Sequence, residues 1–218
     1  MTDRADDKER LLEAVLPHVL FDGWSNLAIK HAAEDLKLDR FAFDRHFPNG
    51  PIDLVTYFIE QADDQMELRL DAENAKSMKI RDRITLAVRI RLEIYAPYKE
   101  SIRNALTLLA LPQNAAKGLK LTAGTVSRMW HATGDTSTDF SYYTKRVTLS
   151  AVYGSTLLFW LDDSSDDFEK TWAFLDRRIV NVMQFETAKY KAKQFFSKKP
   201  ASPDFISPAR FFRNLKAR

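Results

Sequence analysis

The sequence predicts an all-α protein, and three observations carry that reading. Apolar residues recur at three-and-four spacing along most of the 218 residues, only six glycines interrupt them, and no run alternates long enough to make a strand. With 45% hydrophobic residues the chain has material for a substantial core. The elements group into a headpiece over residues 1–55, a larger helical body over 56–190 and a basic tail over 191–218.

The first helix is predicted from Asp6 or Asp7 to Gly23, a natural C-terminal stop, with Leu11, Leu12, Val15, Leu16, Val19 and Leu20 on one face. Pro17 inside it removes a backbone hydrogen bond and predicts a kink. Residues 26–36 make a short second helix through Leu27, Ile29, Ala32 and Ala33, and Asp39 is placed to cap a third within "RFAFDRHF". Two short helices and a tight turn read as a helix-turn-helix. Pro51 opens a fourth helix that runs to about Asn74. A fifth carries Ile84, Leu86, Val88, Ile90, Leu92 and Ile94 towards Pro97, and a sixth ends with Leu106 to Leu111 before Pro112. Further helices fit 115–132, 139–161 and 166–188. The fifteen residues 147–161 carry no charge, yet a membrane span needs about 20, so they predict a buried helix. Ser150, Gly154 and Ser155 within it are small enough for close packing.

Charge is unevenly divided. From Lys189 onward nine basic residues face the single acid Asp204, a net +8 within a whole-chain +3, which leaves −5 on the first 188 residues. A DNA-binding protein carries its positive charge on the reading head, whereas here it sits on the tail. After the Ser/Pro-rich "SKKPASPDFISP", the segment "DFISPARFFRNLKAR" places Phe205, Ile206, Phe211, Phe212 and Leu215 among Arg210, Arg213 and Lys216. That is the pattern of an amphipathic helix lying on an anionic membrane surface, where each basic residue contributes about 1 kcal/mol.

The sequence offers no catalytic or metal motif. Absent cysteines exclude disulfides, thiolate metal sites and thiol nucleophiles. A di-iron bundle needs Glu-x-x-His pairs, but the residues three before His18, His31, His46 and His131 are Val15, Ala28, Phe43 and Arg128. Asp162, Asp163, Asp166 and Asp167 lack the alternating spacing and central glycine of a calcium loop, and suit a helix N-terminus instead. The expectation is a binding protein with no catalytic residue and no metal. The opening "MTDRADDKER" mixes charges without an apolar stretch, which predicts a cytoplasmic protein.

Residues 8–58, with Leu27, Ile29, Ala32, Leu38, His46-Phe47-Pro48 and Pro51, resemble the N-terminal domain of TetR-family regulators. Such regulators place a phosphate-contacting tyrosine and lysine where this chain has Asp44 and Gly50, which weakens the DNA reading. Lys30, Lys37, Arg40 and Arg45 remain as contacts, so a ligand-responsive transcriptional regulator stands as the alternative function.

Downstream, Met129-Trp130-His131, Gly134-Asp135, Ser137-Thr138-Asp139-Phe140, Tyr143-Thr144-Lys145-Arg146, Asp163-Ser164-Ser165, Asp167-Phe168-Glu169, Thr171-Trp172 and Phe174-Leu175 closely resemble the coenzyme Q biosynthesis protein 9 family. The resemblance implies a TetR-like homodimer that binds lipid, carries no chemistry of its own, and presents isoprenoid quinone intermediates or phospholipid to the di-iron hydroxylase of ubiquinone synthesis. The charged N-terminus departs from that family in showing no transit peptide, which suggests a bacterial-type member on the inner face of the cell membrane. A bound lipid is then expected in place of a cofactor. Its pocket is assigned to Leu108, Leu109, Met129 and Trp130 with Tyr153, Leu157, Phe159 and Trp160, and its head group to Tyr143, His131 or Arg146. The hydroxylase surface is assigned to Asp163, Asp167, Trp172 and Arg178.

Overall fold

The computed structural model describes residues 2–39, 41–73, 77–135 and 140–197, with side chains from Asp7 onward except at 140–141 and 185–197. Among the described residues there are nine α-helices and no strand: α1 (Thr2–Asp22), α2 (Asn26–Asp35), α3 (Ala42–His46), α4 (Pro51–Ala72), α5 (Ile80–Tyr95), α6 (Lys99–Ala110), α7 (Ala115–Ala132), α8 (Phe140–Asp162) and α9 (Glu169–Ser197). They belong to two compact units, Met1–Ile179 and Val180–Arg218, divided within α9. The segment 205–216, expected from its sequence to lie on a membrane, is outside the described residues.

Several boundaries differ from expectation for local reasons. α1 starts earlier than its apolar face, at Thr2, and continues as one helix through Pro17. α9 continues past residue 188, since no proline or glycine intervenes before Pro200. Asp39 caps a turn rather than α3 itself: its Oδ1 accepts the Phe41 N–H at 2.7 Å, and Phe41 is the residue that opens the helix. Ser25 does cap α2, its Oγ accepting the Ala28 N–H at 3.2 Å.

The core is organised on α4. Leu54, Phe58, Ala62, Met66 and Leu70 recur every fourth residue and are all buried, making one stripe along the helix. α5, α6 and α7 pack against α4, bringing Val88, Leu92, Val126 and Met129 into the same interior. Two polar contacts join α1 and its following turn to this body. Trp24 Nε1 donates to the Ser101 carbonyl at 2.8 Å while its ring lies 5.5 Å from that of Phe58, and Asn104 Nδ2 donates to the Val19 carbonyl at 3.0 Å.

Past α7, Gly134 adopts φ +85°, the left-handed cap conformation that a side chain disfavours. Asp135 follows, nearly buried, and accepts Lys145 Nζ at 2.7 Å and Arg146 Nη1 at 3.4 Å, which ties the start of α8 to the end of α7.

The charge-free segment of α8 corrects the expectation of a buried helix. One face is buried through Leu149, Val152, Tyr153, Thr156 and Trp160, but Val147 is 71% and Leu158 61% exposed, with Tyr143 and Ala151 open beside them. Absence of charge here marks an apolar outer face and not enclosure on all sides.

A single carboxylate organises the α8–α9 junction. Asp163 is buried, and its oxygens accept the Ser165 N–H and hydroxyl at 2.9 and 2.6 Å and the Thr171 N–H and hydroxyl at 2.8 and 2.6 Å. Burial alone would raise its pKa, but these donors outweigh it and hold the carboxyl well below the usual range. A depressed native pKa contributes stability that is full above the unfolded value and is lost as pH falls through the native one. Asp163→Ala is therefore expected to lower unfolding stability by about 2–4 kcal/mol at pH 7 in urea titrations, through donors left unpaired. The gap to wild type should shrink only on acidification below about pH 4, the ordinary carboxylate range.

Candidate functional site

Five helices of the body converge on a small cavity of about 50 Å³. Its apolar wall is Ile59 of α4, Ile102, Ala105, Leu106 and Leu109 of α6, Leu121 of α7 and Leu157 of α8. Its polar end is made by Arg91 and Tyr95 of α5, Thr125 of α7 and Tyr153 of α8. All four polar residues are buried, and Arg91 has no exposed surface.

A buried charge needs an answering one, and Asp63 of α4 supplies it. Arg91 Nε donates to Asp63 Oδ1 at 2.8 Å, Thr125 Oγ1 donates to Asp63 Oδ2 at 2.9 Å, and Arg91 Nη2 donates to the Ile59 carbonyl at 3.0 Å and to the Tyr95 hydroxyl. The guanidinium carbon also lies 4.0 Å from the Tyr95 ring centre. Burial pushes the Asp63 carboxyl up, with Arg91 and Thr125 pulling the other way, and burial raises both Tyr95 and Tyr153, so the phenols stay neutral. Arg91 Nη1 has no hydrogen-bond partner. A buried donor left so costs about 1–3 kcal/mol. The volume suffices for water but is well below the roughly 150 Å³ that holds benzene in an apolar protein cavity, so a longer ligand requires the lining helices to part.

Of the residues assigned to a pocket from sequence, Leu109, Tyr153 and Leu157 line this cavity. The other five lie elsewhere. Leu108 is half-buried on α6, Met129 is fully buried in the core, and Trp130 is half-buried with Lys145 Nζ 5.4 Å from its ring. Phe159 is partly exposed and stacks on Phe174 at 4.6 Å, and Trp160 is fully buried against Phe168. For the head group, Tyr143 and His131 are exposed and Arg146 is engaged with Asp135. Sequence reading missed Asp63, Arg91 and Tyr95. The signal was present: Ala87, Arg91 and Tyr95 fall on one helical stripe among apolar neighbours, with an acid on α4 to match.

The residues assigned to a partner surface gather at the start of α9. Asp163 is occupied by its four donors, whereas Asp167 is exposed. Asp167 and Phe168 both have positive φ, 47° and 57°, a costly conformation for two successive side chains of this kind. Phe168 fits between Trp160 and Trp172 at 5.7 and 6.3 Å, and Lys99 Nζ sits 5.3 Å from it. Trp172 is half-buried, donates Nε1 to the Asp167 carbonyl at 2.7 Å, and carries Arg89 4.9 Å from its ring. Arg178 lies 5.1 Å from the Phe174 ring.

A wider cleft of about 360 Å³ lies between α2, α3 and the start of α4, but the charged residues that line it, Lys30, Glu34 and Asp44, are all exposed. The chemistry of the buried Arg91 distinguishes the smaller cavity.

Comparison with known proteins agrees with this architecture. The solved TetR transcriptional regulator from Nitrosomonas europaea superposes with a TM-score of 0.64 at 16% identity, covering 79% of this chain and 95% of that one, and it establishes a TetR-like fold. Residues 115–186 match the family model described as COQ9. The ubiquinone biosynthesis protein COQ9-B, mitochondrial, of Xenopus laevis is 38% identical over 183 residues, 81% of this chain and 62% of the relative. The human mitochondrial protein COQ9 is 36% identical over 190 residues, 84% of this chain and 59% of the relative. The chain thus spans about three-fifths of the length of these curated relatives. They are mitochondrial proteins of eukaryotes, which overturns the expectation of a bacterial-type protein of the cytoplasm and the inner face of the cell membrane.

Removing Arg91 should expose how far the core depends on it. Arg91→Met, which strands the Asp63 carboxylate, is expected to cost about 3–5 kcal/mol in urea unfolding, and the double variant Asp63→Leu/Arg91→Met to recover most of it.

Proposed function

We propose that this chain is a member of the COQ9 family and acts as a non-catalytic accessory protein of ubiquinone biosynthesis. It binds an isoprenoid quinone intermediate or a phospholipid at a membrane and presents it to a di-iron hydroxylase of that pathway. The observation that carries this reading is the apolar cavity closed at one end by buried Arg91, whose Nη1 lacks an acceptor. An oxygen-bearing ring suits the polar end, and an isoprenoid tail suits the apolar wall. Burial at about 25 cal/mol per Å² of apolar area supplies the affinity once the lining helices separate.

The remaining assignments follow from the same reading. Residues 1–55 form a helix-turn-helix headpiece, 56–190 bind lipid and dimerise, and 191–218 meet the membrane through the basic Phe-rich segment 205–216. Among the described residues no helix is long and apolar enough to cross a membrane. The apolar outer face of α8, with Tyr143, Val147, Ala151 and Leu158, makes the homodimer contact. Asp167, Phe168 and Trp172 offer an acidic and aromatic surface to the hydroxylase. The regulator reading has less support. Lys30 faces Glu34 at 3.8 Å and Arg45 faces Asp39 at 3.6 Å, which leaves these cations partly neutralised towards phosphate.

Mass spectrometry of the natively purified full chain is the direct test: an isoprenoid or phospholipid at near one per chain is expected, and a chain without either would count against the proposal. Thr122→Trp, which fills the cavity from its half-buried wall, should reduce co-purified lipid severalfold with helical circular dichroism unchanged. Trp172→Ala should instead weaken capture of the hydroxylase at least tenfold while lipid content stays at the wild-type level, the behaviour of an interface hot spot worth about 1.4 kcal/mol or more.

A further inference from the structure

Away from the cavity, α1 and α2 present the same four-residue spacing to one another. His18 and Asp22 lie on one face of α1, and His31 and Asp35 on one face of α2. The two pairs cross. His18 Nε2 is 2.7 Å from Asp35 Oδ2, His31 Nδ1 is 2.8 Å from Asp22 Oδ2, and the imidazole centres are 5.5 Å apart. One ligand atom from each of His18, Asp22 and His31 falls within 4.8 Å of the others. All three residues are intermediate in burial, with side chains 23%, 20% and 38% exposed.

We propose that His18, Asp22 and His31 form a binding site for a divalent transition metal ion, with Zn²⁺ the natural occupant, clamping α1 to α2. Two imidazoles and a carboxylate are donors that suit such an ion, and they exclude the all-oxygen preference of Ca²⁺ and Mg²⁺. Three protein donors leave the fourth tetrahedral position to water. Asp35, bonded to the His18 ring, is the carboxylate that orients this imidazole, an arrangement that commonly supports metal-bound histidine. Together Asp22 and Asp35 balance the charge of a divalent ion with both imidazoles neutral.

The geometry needs little adjustment. Ligand bonds of about 2.0–2.2 Å in a tetrahedron set donor atoms roughly 3.3–3.6 Å apart. The 2.8 Å His31–Asp22 contact must open by less than about 1 Å, and the widest separation in the group, no more than 4.8 Å, must close by roughly 1.5 Å. Side-chain rotation accommodates both while the helices stay packed. The third histidine of the headpiece, His46, is 4.0 Å from Asp7 and stands outside this group. Crossed His–Asp hydrogen bonds alone would hold the helices together without metal, and that is the arrangement the experiment must distinguish.

The full chain, stripped with a chelator and dialysed, is titrated with Zn²⁺ by calorimetry and with Co²⁺ by visible absorption. One ion per chain is expected, with the intense Co²⁺ bands of a tetrahedral site and a rise in Tm that a chelator reverses. His18→Ala and His31→Ala should each weaken Zn²⁺ binding by about 100-fold or more and abolish the Tm rise, and Asp35→Asn should weaken it by about 10-fold. Asp22→Asn, which keeps size and shape, serves if an alanine variant fails to fold in chelator. Absence of saturable binding by the wild-type chain, or binding that these substitutions leave unchanged, overturns the proposal. Lipid content is not expected to respond, which separates this result from the test of the proposed function.

Discussion

A guanidinium with no exposed surface has to be answered by the protein around it, and in this chain that requirement fixes four helices at once. Arg91 comes from α5, its carboxylate from α4, the hydroxyl that shares the carboxylate from α7, and Tyr153 of α8 closes the same buried end. The apolar stripe of α4 would tolerate small slips against α5, because Leu54, Phe58 and Met66 make non-directional contacts. The ion pair would not. A slip of one residue leaves two buried charges unpaired, so the polar cluster selects one register from several of similar apolar burial.

That cluster also explains why the cavity lies where it does. Arg91 spends Nε on Asp63 and Nη2 on the Ile59 carbonyl and Tyr95, acceptors supplied by α4 and α5. The remaining nitrogen lacks an acceptor, and a cavity opens beside its residue. Apolar wall and polar end are thus two sides of one packing solution.

Local signals in the sequence were enough for most of the helices. Pro51, Pro97 and Pro112 set boundaries that the structure keeps, and the 115–132 helix falls where its periodicity placed it. The site was less legible, because its members come from five helices and no spacing along the chain relates Asp63 to Arg91 or Tyr153. Aromatic content drew attention to Trp130, Phe159 and Trp160, yet these fill the core or cover its edge, while the distinguishing residue was a charge inside an apolar stripe. The same limit applies to His18 and His31. A search for acids three residues before each histidine passes over acids four residues after it, and only the fold shows that the two helices bring those pairs together.

Gly154 lies in the middle of α8, on the face shared by Val147, Ala151 and Leu158, and a β-carbon built there would meet nothing within 4 Å. Within this chain an alanine would fit and would strengthen the helix by about 1 kcal/mol. Nothing in the isolated fold therefore accounts for the glycine. In the homodimer proposed above, its bare backbone becomes a seat, a place where another helix can settle closer than any side chain would permit. Under that proposal residue choice at this position is decided by assembly, and a scan of folding stability alone would rank the native residue as a defect.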